Sequence, residues 1–219
     1  VGTGDSKVHL FHRDSSTAIW SASLSGSGAT FVDISADGTY ITAGSYGKYI
    51  YLWEKSSSTS IWSYYSSYKI QDIAISADGE YIIAGTGSDG YKVILFNKDS
   101  GTPLWTYSAG NSVVSVAISA DGEYIVMGSL DEKVYLFDKD SSTPLWSYTA
   151  GDYVNSVAIS ADGEYITVGM GYKLYLFDKD SSTPLRNYTT GGDVYSVAIS
   201  AKGEYIAAGS QDKRVYSHR

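Results

Sequence analysis

The sequence has no cysteine, and only three histidines and three prolines in 219 residues. Without cysteine, disulfides and thiolate metal sites are excluded, and the redox compartment cannot be read from thiol usage. His9 and His12 are spaced i,i+3, which on a strand places them on opposite faces where they cannot share a metal; His218 stands apart in the tail. No Gly-x-Ser-x-Gly elbow accompanies the plentiful serines, and histidine is too scarce to supply a triad. Basic residues are few as well. The formal charge of −8 opposes the counterion release that drives nucleic-acid binding and disfavours anionic membranes. No apolar run approaches the roughly 20 residues of a membrane-spanning helix, and no helix-length periodic stretch exists. The chain opens at Val1 without a basic-then-apolar leader, which points to a mature or excised segment. Ser, Thr and Tyr replace Lys and Glu at many outward positions, which leans towards a secreted or cell-surface origin.

What the chain does have is 21 tyrosines, 23 glycines and a strict repeat. Ala-Asp-Gly-Glu-Tyr occurs at Ala77, Ala120 and Ala161, with near copies at Ala36 and Ala201, a spacing of 40 to 43 residues. Lys139-Asp-Ser-Ser-Thr-Pro-Leu-Trp-Ser-Tyr recurs in looser form from Arg13, Lys55, Lys98 and Lys179 with the same period. Between Val113 and Gly151 the alternation of apolar and polar residues predicts four short strands, with Asp121-Gly122 supplying the tight turn between the first two. A four-stranded unit of about 40 residues cannot bury both faces alone and must pack against neighbours around a ring. The expected fold is therefore all-β: a five-bladed β-propeller of four-stranded antiparallel blades forming a single domain over residues 1–219. Four units are complete. The last blade is expected to be closed by the N-terminal strands Lys7 to Arg13 and Ala18 to Ser23, because Leu10-Phe11 should outcompete Ser217-His218 for the third-strand place.

Val154-Asn-Ser-Val-Ala-Ile-Ser-Ala-Asp-Gly-Glu-Tyr-Ile, followed by a glycine and a strand ending in an aromatic-acidic pair, resembles the WD40 repeat. Thr143-Pro-Leu-Trp-Ser-Tyr is similar to the outer strand of quinoprotein-type repeats. The resemblance implies a propeller and leaves function open among scaffolds, binding modules and a few enzymes. The Gly-His dipeptide of WD40 repeats is missing, so blade cohesion should rest on aromatic packing, with Trp20, Trp62, Trp105 and Trp146 docking between adjacent blades. Arg186 holds the fifth equivalent position, either as a solvated residue stacked on a neighbouring Tyr or as a partner-binding group. No ligand set for a quinone cofactor or its metal is visible, and no cofactor is expected.

Two function classes remain. Most aspartates recur in every unit at turns, which suits capping of backbone N–H groups. Only Asp33 and Asp72 break the repeat on the inner strand; a carbohydrate-active enzyme would need them as a paired acid and base. The alternative is a non-enzymatic module binding a protein, peptide or glycan as a monomer. The turns at one end of the ring are nearly identical, while the fourth-to-first connections at the other end diverge, from Ser66-Ser-Tyr-Lys to Ala150-Gly-Asp-Tyr and Thr190-Gly-Gly-Asp. The second residue of each inner strand also diverges, as Thr30, Gln71, Val114, Asn155 and Tyr195. Thr30, Gln71, Tyr153, Asn155, Asp193 and Tyr195 are the expected ligand-binding residues, suited to a polar, uncharged ligand by stacking and directed hydrogen bonds. Drift after duplication would leave the same variation.

Overall fold

The computed structural model describes all residues except Ser27, Asp89 and Arg219. The described residues form six antiparallel sheets in chain order and no helix, spanning residues 2–23, 29–65, 70–108, 113–149, 154–189 and 194–218. The middle four sheets have four strands each and the two terminal sheets have three. In the fourth sheet the strands are Val113–Ile118, Tyr124–Ser129, Lys133–Asp138 and Trp146–Thr149, paired in sequence order from the axis outwards. The second and third strands are covered on both faces, which explains their unbroken apolar runs: Ile125, Val126, Met127, Val134, Leu136 and Phe137 are all fully buried.

The repeated turn is held by its own side chains. Ser119 Oγ donates to Asp121 Oδ1 at 2.6 Å, Asp121 Oδ1 accepts from the Glu123 amide at 3.1 Å, and Ser119 Oγ accepts from the Tyr124 amide at 3.0 Å. Gly122 has φ +74°, and the ring of Tyr81 from the preceding sheet lies against its Cα, leaving no room for a Cβ. The adjoining alanines bond sheet to sheet: Ala36, Ala77, Ala120 and Ala161 each donate a backbone N–H to the carbonyl of the next, ending at Ala201, at 2.9–3.0 Å. Neighbouring sheets also interdigitate. Gly128 in a second strand faces Val154 of the next sheet so closely that a Cβ would fall inside Val154 Cγ1.

At the outer edge the four tryptophans dock between adjacent sheets. Their indole Nε1 groups donate to the carbonyls of Lys55, Lys98, Lys139 and Lys179 at 2.9, 2.8, 2.6 and 2.7 Å. Trp62, Trp105 and Trp146 stack near Phe96, Phe137 and Phe177 with ring centroids 5.3, 5.5 and 5.4 Å apart. Trp20 meets Trp53 at 6.1 Å.

Closure differs from the expectation. The third strand of the last sheet is Val215–His218, paired with the strand Ile206–Ser210, and the N-terminal strand Lys7–Phe11 pairs instead with Gly2–Thr3 and Ala18–Ser23 in a sheet of its own. The six sheets thus replace the five expected blades. The cause is local. Lys213 takes a φ of 67°, its amide donates to the Ser210 carbonyl at 3.1 Å, and the Arg214 amide donates to Asp212 Oδ1 at 3.1 Å, closing a hairpin of a few residues. Pairing strands from opposite ends of the chain carries a larger loop-closure entropy. At the other terminus the Val1 ammonium donates to the His9 carbonyl at 2.8 Å and the His9 amide to the Val1 carbonyl at 2.9 Å, fixing the N-terminal sheet.

Candidate functional site

The divergent residue of each inner strand proves to be a β-bulge. The register between first and second strands slips between Ala29 and Phe31, Ile70 and Asp72, Val113 and Ser115, Val154 and Ser156, and Val194 and Ser196. Thr30, Gln71, Val114, Asn155 and Tyr195 are the residues left out of the ladder. A bulged residue has no cross-strand partner to match, and the strand re-aims its side chain. That is why these positions vary while their neighbours repeat.

The five do not do the same thing. Asn155 Nδ2 donates to the Val194 carbonyl of the next sheet at 3.0 Å, so its amide ties two sheets together. The Gln71 amide packs against Gly87 in the adjoining turn and is half-buried. The side chain of Thr30 lies outside the described residues. Asp193 is half-buried, and its carbonyl accepts from the Gln211 amide at 2.8 Å. Tyr195 is 56% exposed.

Tyr195 has company. Tyr153 is 54% exposed and Tyr172 is 55% exposed. Three short segments carry these rings, and hydrogen bonds and close packing lock them to one another. Asp152 Oδ1 accepts from the Tyr153 amide at 2.8 Å, the Asp152 carboxylate packs directly on Gly171, and the Gly171 carbonyl accepts from the Val194 amide at 2.7 Å. Gly171 and Val194 immediately precede Tyr172 and Tyr195. The result is an end of the fifth and sixth sheets that presents three phenol rings on a braced backbone. Sequence reasoning missed Tyr172; the available signal was an aromatic in a second-to-third-strand turn, as at Tyr46 in the second sheet. Tyr46 is also exposed, with Phe31 at 6.3 Å and the Lys69 ammonium 5.8 Å from its ring centroid.

Asp33 and Asp72 serve packing. Asp72 Oδ2 accepts from the Val116 amide of the next sheet at 2.8 Å, and Oδ1 accepts from the Ile73 amide at 2.9 Å. Ser115 Oγ accepts from Val157 and Ser156 Oγ from Val197, each at 3.1 Å, so Asp72 occupies the place of a repeated inter-sheet clamp. Asp33 Oδ2 accepts from the Ile75 amide and Oδ1 from the Ile34 amide, both at 2.9 Å. Burial raises both carboxyls, that of Asp72 to about 6. Asp33 lines a cavity of about 320 Å³ at the uniform end, among Ile34, Ile75, Ile118, Ile159 and Ile199; Asp72 does not. The two carboxylates share no opening in which to act as an acid–base pair.

His9 Nδ1 pairs with Ser21 Oγ at 2.7 Å and His12 Nδ1 lies 3.4 Å from Asp14, consistent with their opposite faces. Among the described residues no group of three or more His, Cys, Asp or Glu side chains could hold a metal. The residues present therefore do not fit a metal-assisted quinone site. Arg186 is exposed and borders, with Tyr188 and Tyr216, a cleft of about 340 Å³ between the last two sheets.

Comparison with curated proteins finds no match. Among solved structures, a chain of the crystal structure of a mitotic checkpoint complex is similar over 100% of this chain and 69% of its own length, with a TM-score of 0.83 and 17% identity. At that identity the likeness concerns the fold. The family profile described as outer membrane protein assembly factor BamB, PQQ_2, matches residues 4–217, nearly the whole chain, and the chain belongs to that family of β-propeller repeats.

Proposed function

We propose that residues 1–219 act as one non-enzymatic recognition domain, binding a peptide or glycan segment of a partner on the variable end of the propeller. The observation that carries this reading is the set Tyr153, Tyr172 and Tyr195, exposed on segments locked together through Asp152, Gly171 and Val194. A tyrosine ring supplies large contact area at low conformational entropy and a phenol for hydrogen bonding, and a braced backbone limits the entropy lost on binding. Gln71, Asn155, Asp193 and Thr30 border the same end as polar framing. The net charge of −8 favours an uncharged or basic partner over nucleic acid. Membership of a family described by an assembly factor, and likeness to a chain from a multiprotein complex, accord with protein recognition.

The test is a combined peptide and glycan array probed with the intact chain, followed by titration of the best hit against Tyr153→Ala and Tyr195→Ala. Loss of affinity in both, with unchanged thermal unfolding, supports the site. A hit whose binding is indifferent to both and sensitive to Ile34 or Ile118 at the uniform end overturns it, as does hydrolysis of a glycan that is lost in Asp72→Asn.

A further inference from the structure

The cleft between the fifth and sixth sheets exists because two repeated side chains are missing there. At the earlier junctions a Trp and a Tyr of one fourth strand close on a Phe of the next third strand: Trp105 and Tyr107 on Phe137, Trp146 and Tyr148 on Phe177, with centroids 5.1–5.5 Å apart. In the sixth sheet the register sets His218 opposite Ile206 and Ser217 opposite Ala207, the places that Phe177 and Leu176 hold opposite Ile166 and Thr167. Arg186 stands where the Trp stands elsewhere. The space left is lined by Leu174, Leu176, Ile206 and Tyr216. The strand carrying Ser217 and His218 is itself poorly covered, with Val215 80% exposed where Val134 of the fourth sheet is fully buried.

The missing pair is present at the other end of the molecule. The third-strand equivalent of the first sheet, Lys7–Phe11, carries Leu10-Phe11 in the register of Leu176-Phe177. Phe11 is 42% exposed, whereas Phe96, Phe137 and Phe177 are fully buried. An exposed ring at one end thus matches a cleft of the right lining at the other. Within one molecule the two are not joined: the first sheet is fixed to the second through Trp20, the sixth is fixed to the fifth through Val194 and Val197 against Gly169, and no strand pairing links the first sheet to the sixth.

We infer that a second copy of this chain supplies the missing pair: the Lys7–Phe11 strand of one copy takes the place of Val215–His218 in the sixth sheet of another, seating Leu10 and Phe11 in the cleft. The joint sheet then has its first two strands from one copy and its last two, Lys7–Phe11 and Ala18–Ser23, from the next. The donor's first sheet need not leave its own second sheet, since Trp20 stays docked on the Lys55 carbonyl. Only the two-residue strand Gly2–Thr3 and the strand Val215–His218 are displaced. The two surfaces differ, so the contact is head-to-tail and propagates until a ring closes. This departs from the monomer that the repeat count alone leads one to expect.

The test uses the intact chain in sedimentation velocity over a range of concentrations, with energy transfer between separately labelled copies after mixing. The expected result is a mass that rises above the monomer with concentration, and transfer between copies. Phe11→Ser should weaken association by about tenfold or more, the equivalent of one buried aromatic contact. His218→Phe restores the ring within the chain, and should also suppress association while raising the unfolding temperature; it keeps the test decisive should Phe11→Ser fold poorly. A chain that stays monomeric throughout overturns the inference. So does a monomer destabilised by Phe11→Ser, which would place the strand within its own chain. Association lost in Tyr153→Ala and retained in both other variants would assign it to the tyrosine surface instead and likewise overturn the inference.

Discussion

Asp72 accepts the backbone N–H of Val116 across the junction of the third and fourth sheets at 2.8 Å, in the structural place where Ser115 accepts that of Val157 at 3.1 Å. One clamp carries an ionisable group and the other does not, and this difference makes stability depend on pH. Burial raises the Asp72 carboxyl to about 6 from its ordinary 3.8. A raised folded-state value means that the contribution is fully present below about pH 4 and is lost as pH rises through about 6, since the folded state then holds an unfavourable buried charge. The magnitude is of order 3 kcal/mol at neutral pH. Asp72→Ser, the repeat's own residue, is expected to unfold at higher urea than the parent at pH 7.5 and to match it near pH 4. Asp37 and Asp162, lowered chiefly by hydroxyl hydrogen bonds, pull the pH dependence the other way in both proteins, so the difference between the two curves isolates Asp72. Equal urea midpoints at pH 7.5 would show that the carboxylate is not buried as a charge.

The tryptophans make a second prediction. Trp105 and Trp146 each combine apolar packing on a buried Phe with an indole hydrogen bond to a lysine carbonyl. Truncation to Ala should cost about 3 kcal/mol. Trp146→Phe should cost less, about 1 kcal/mol, because it keeps most of the packing and removes the donor from the Lys179 carbonyl. Chemical unfolding of the three variants checks the order; shifts below about 1 kcal/mol in both alanine variants would mean that these rings contribute no burial.

Gly128 tests how closely the sheets approach. A Cβ there meets Val154 Cγ1 and Val154 Cβ of the next sheet, so Gly128→Ala over-packs the junction and should cost roughly 1–3 kcal/mol. Shortening the facing residue in Gly128→Ala/Val154→Ala should recover part of that loss, a coupling that a double-mutant cycle measures directly. Purely additive costs would mean that the two residues do not touch.

The blades were legible in the sequence because each feature that makes one is local: the Asp-Gly turn held by Ser119 and Asp121, the period-two strands, and the Trp at fixed distance from its turn. The arrangement of the ends was not. Leu10-Phe11 has the better apolar pattern for the last sheet, yet Val215–His218 lies one short turn away from its partner strand, and composition carries no measure of loop closure. The carboxylates were legible as exceptions to the repeat but not as clamps, because an acceptor oxygen at the Ser115 position does the same work whether it belongs to a serine or an aspartate. Tyr172 escaped notice since it sits in a turn, and turns were compared for their divergence rather than for their aromatic content.

Asn155 and Tyr195 separate framing from contact at the proposed site. Both are bulged residues at the variable end, but the Asn155 amide is spent on the Val194 carbonyl, the residue just before Tyr195, while the Tyr195 ring faces solvent. Asn155→Ala removes an inter-sheet hydrogen bond and should cost about 1 kcal/mol of stability, loosening the backbone that aims Tyr195 and weakening binding as a secondary effect. Tyr195→Ala removes an exposed ring and should leave the urea midpoint unchanged, while weakening an array-identified ligand by roughly 1–3 kcal/mol if the ring is a stacking anchor. Measuring both quantities in both variants distinguishes the roles. Should Asn155→Ala abolish binding at unchanged stability, the amide itself would be the ligand's partner and the Val194 contact incidental.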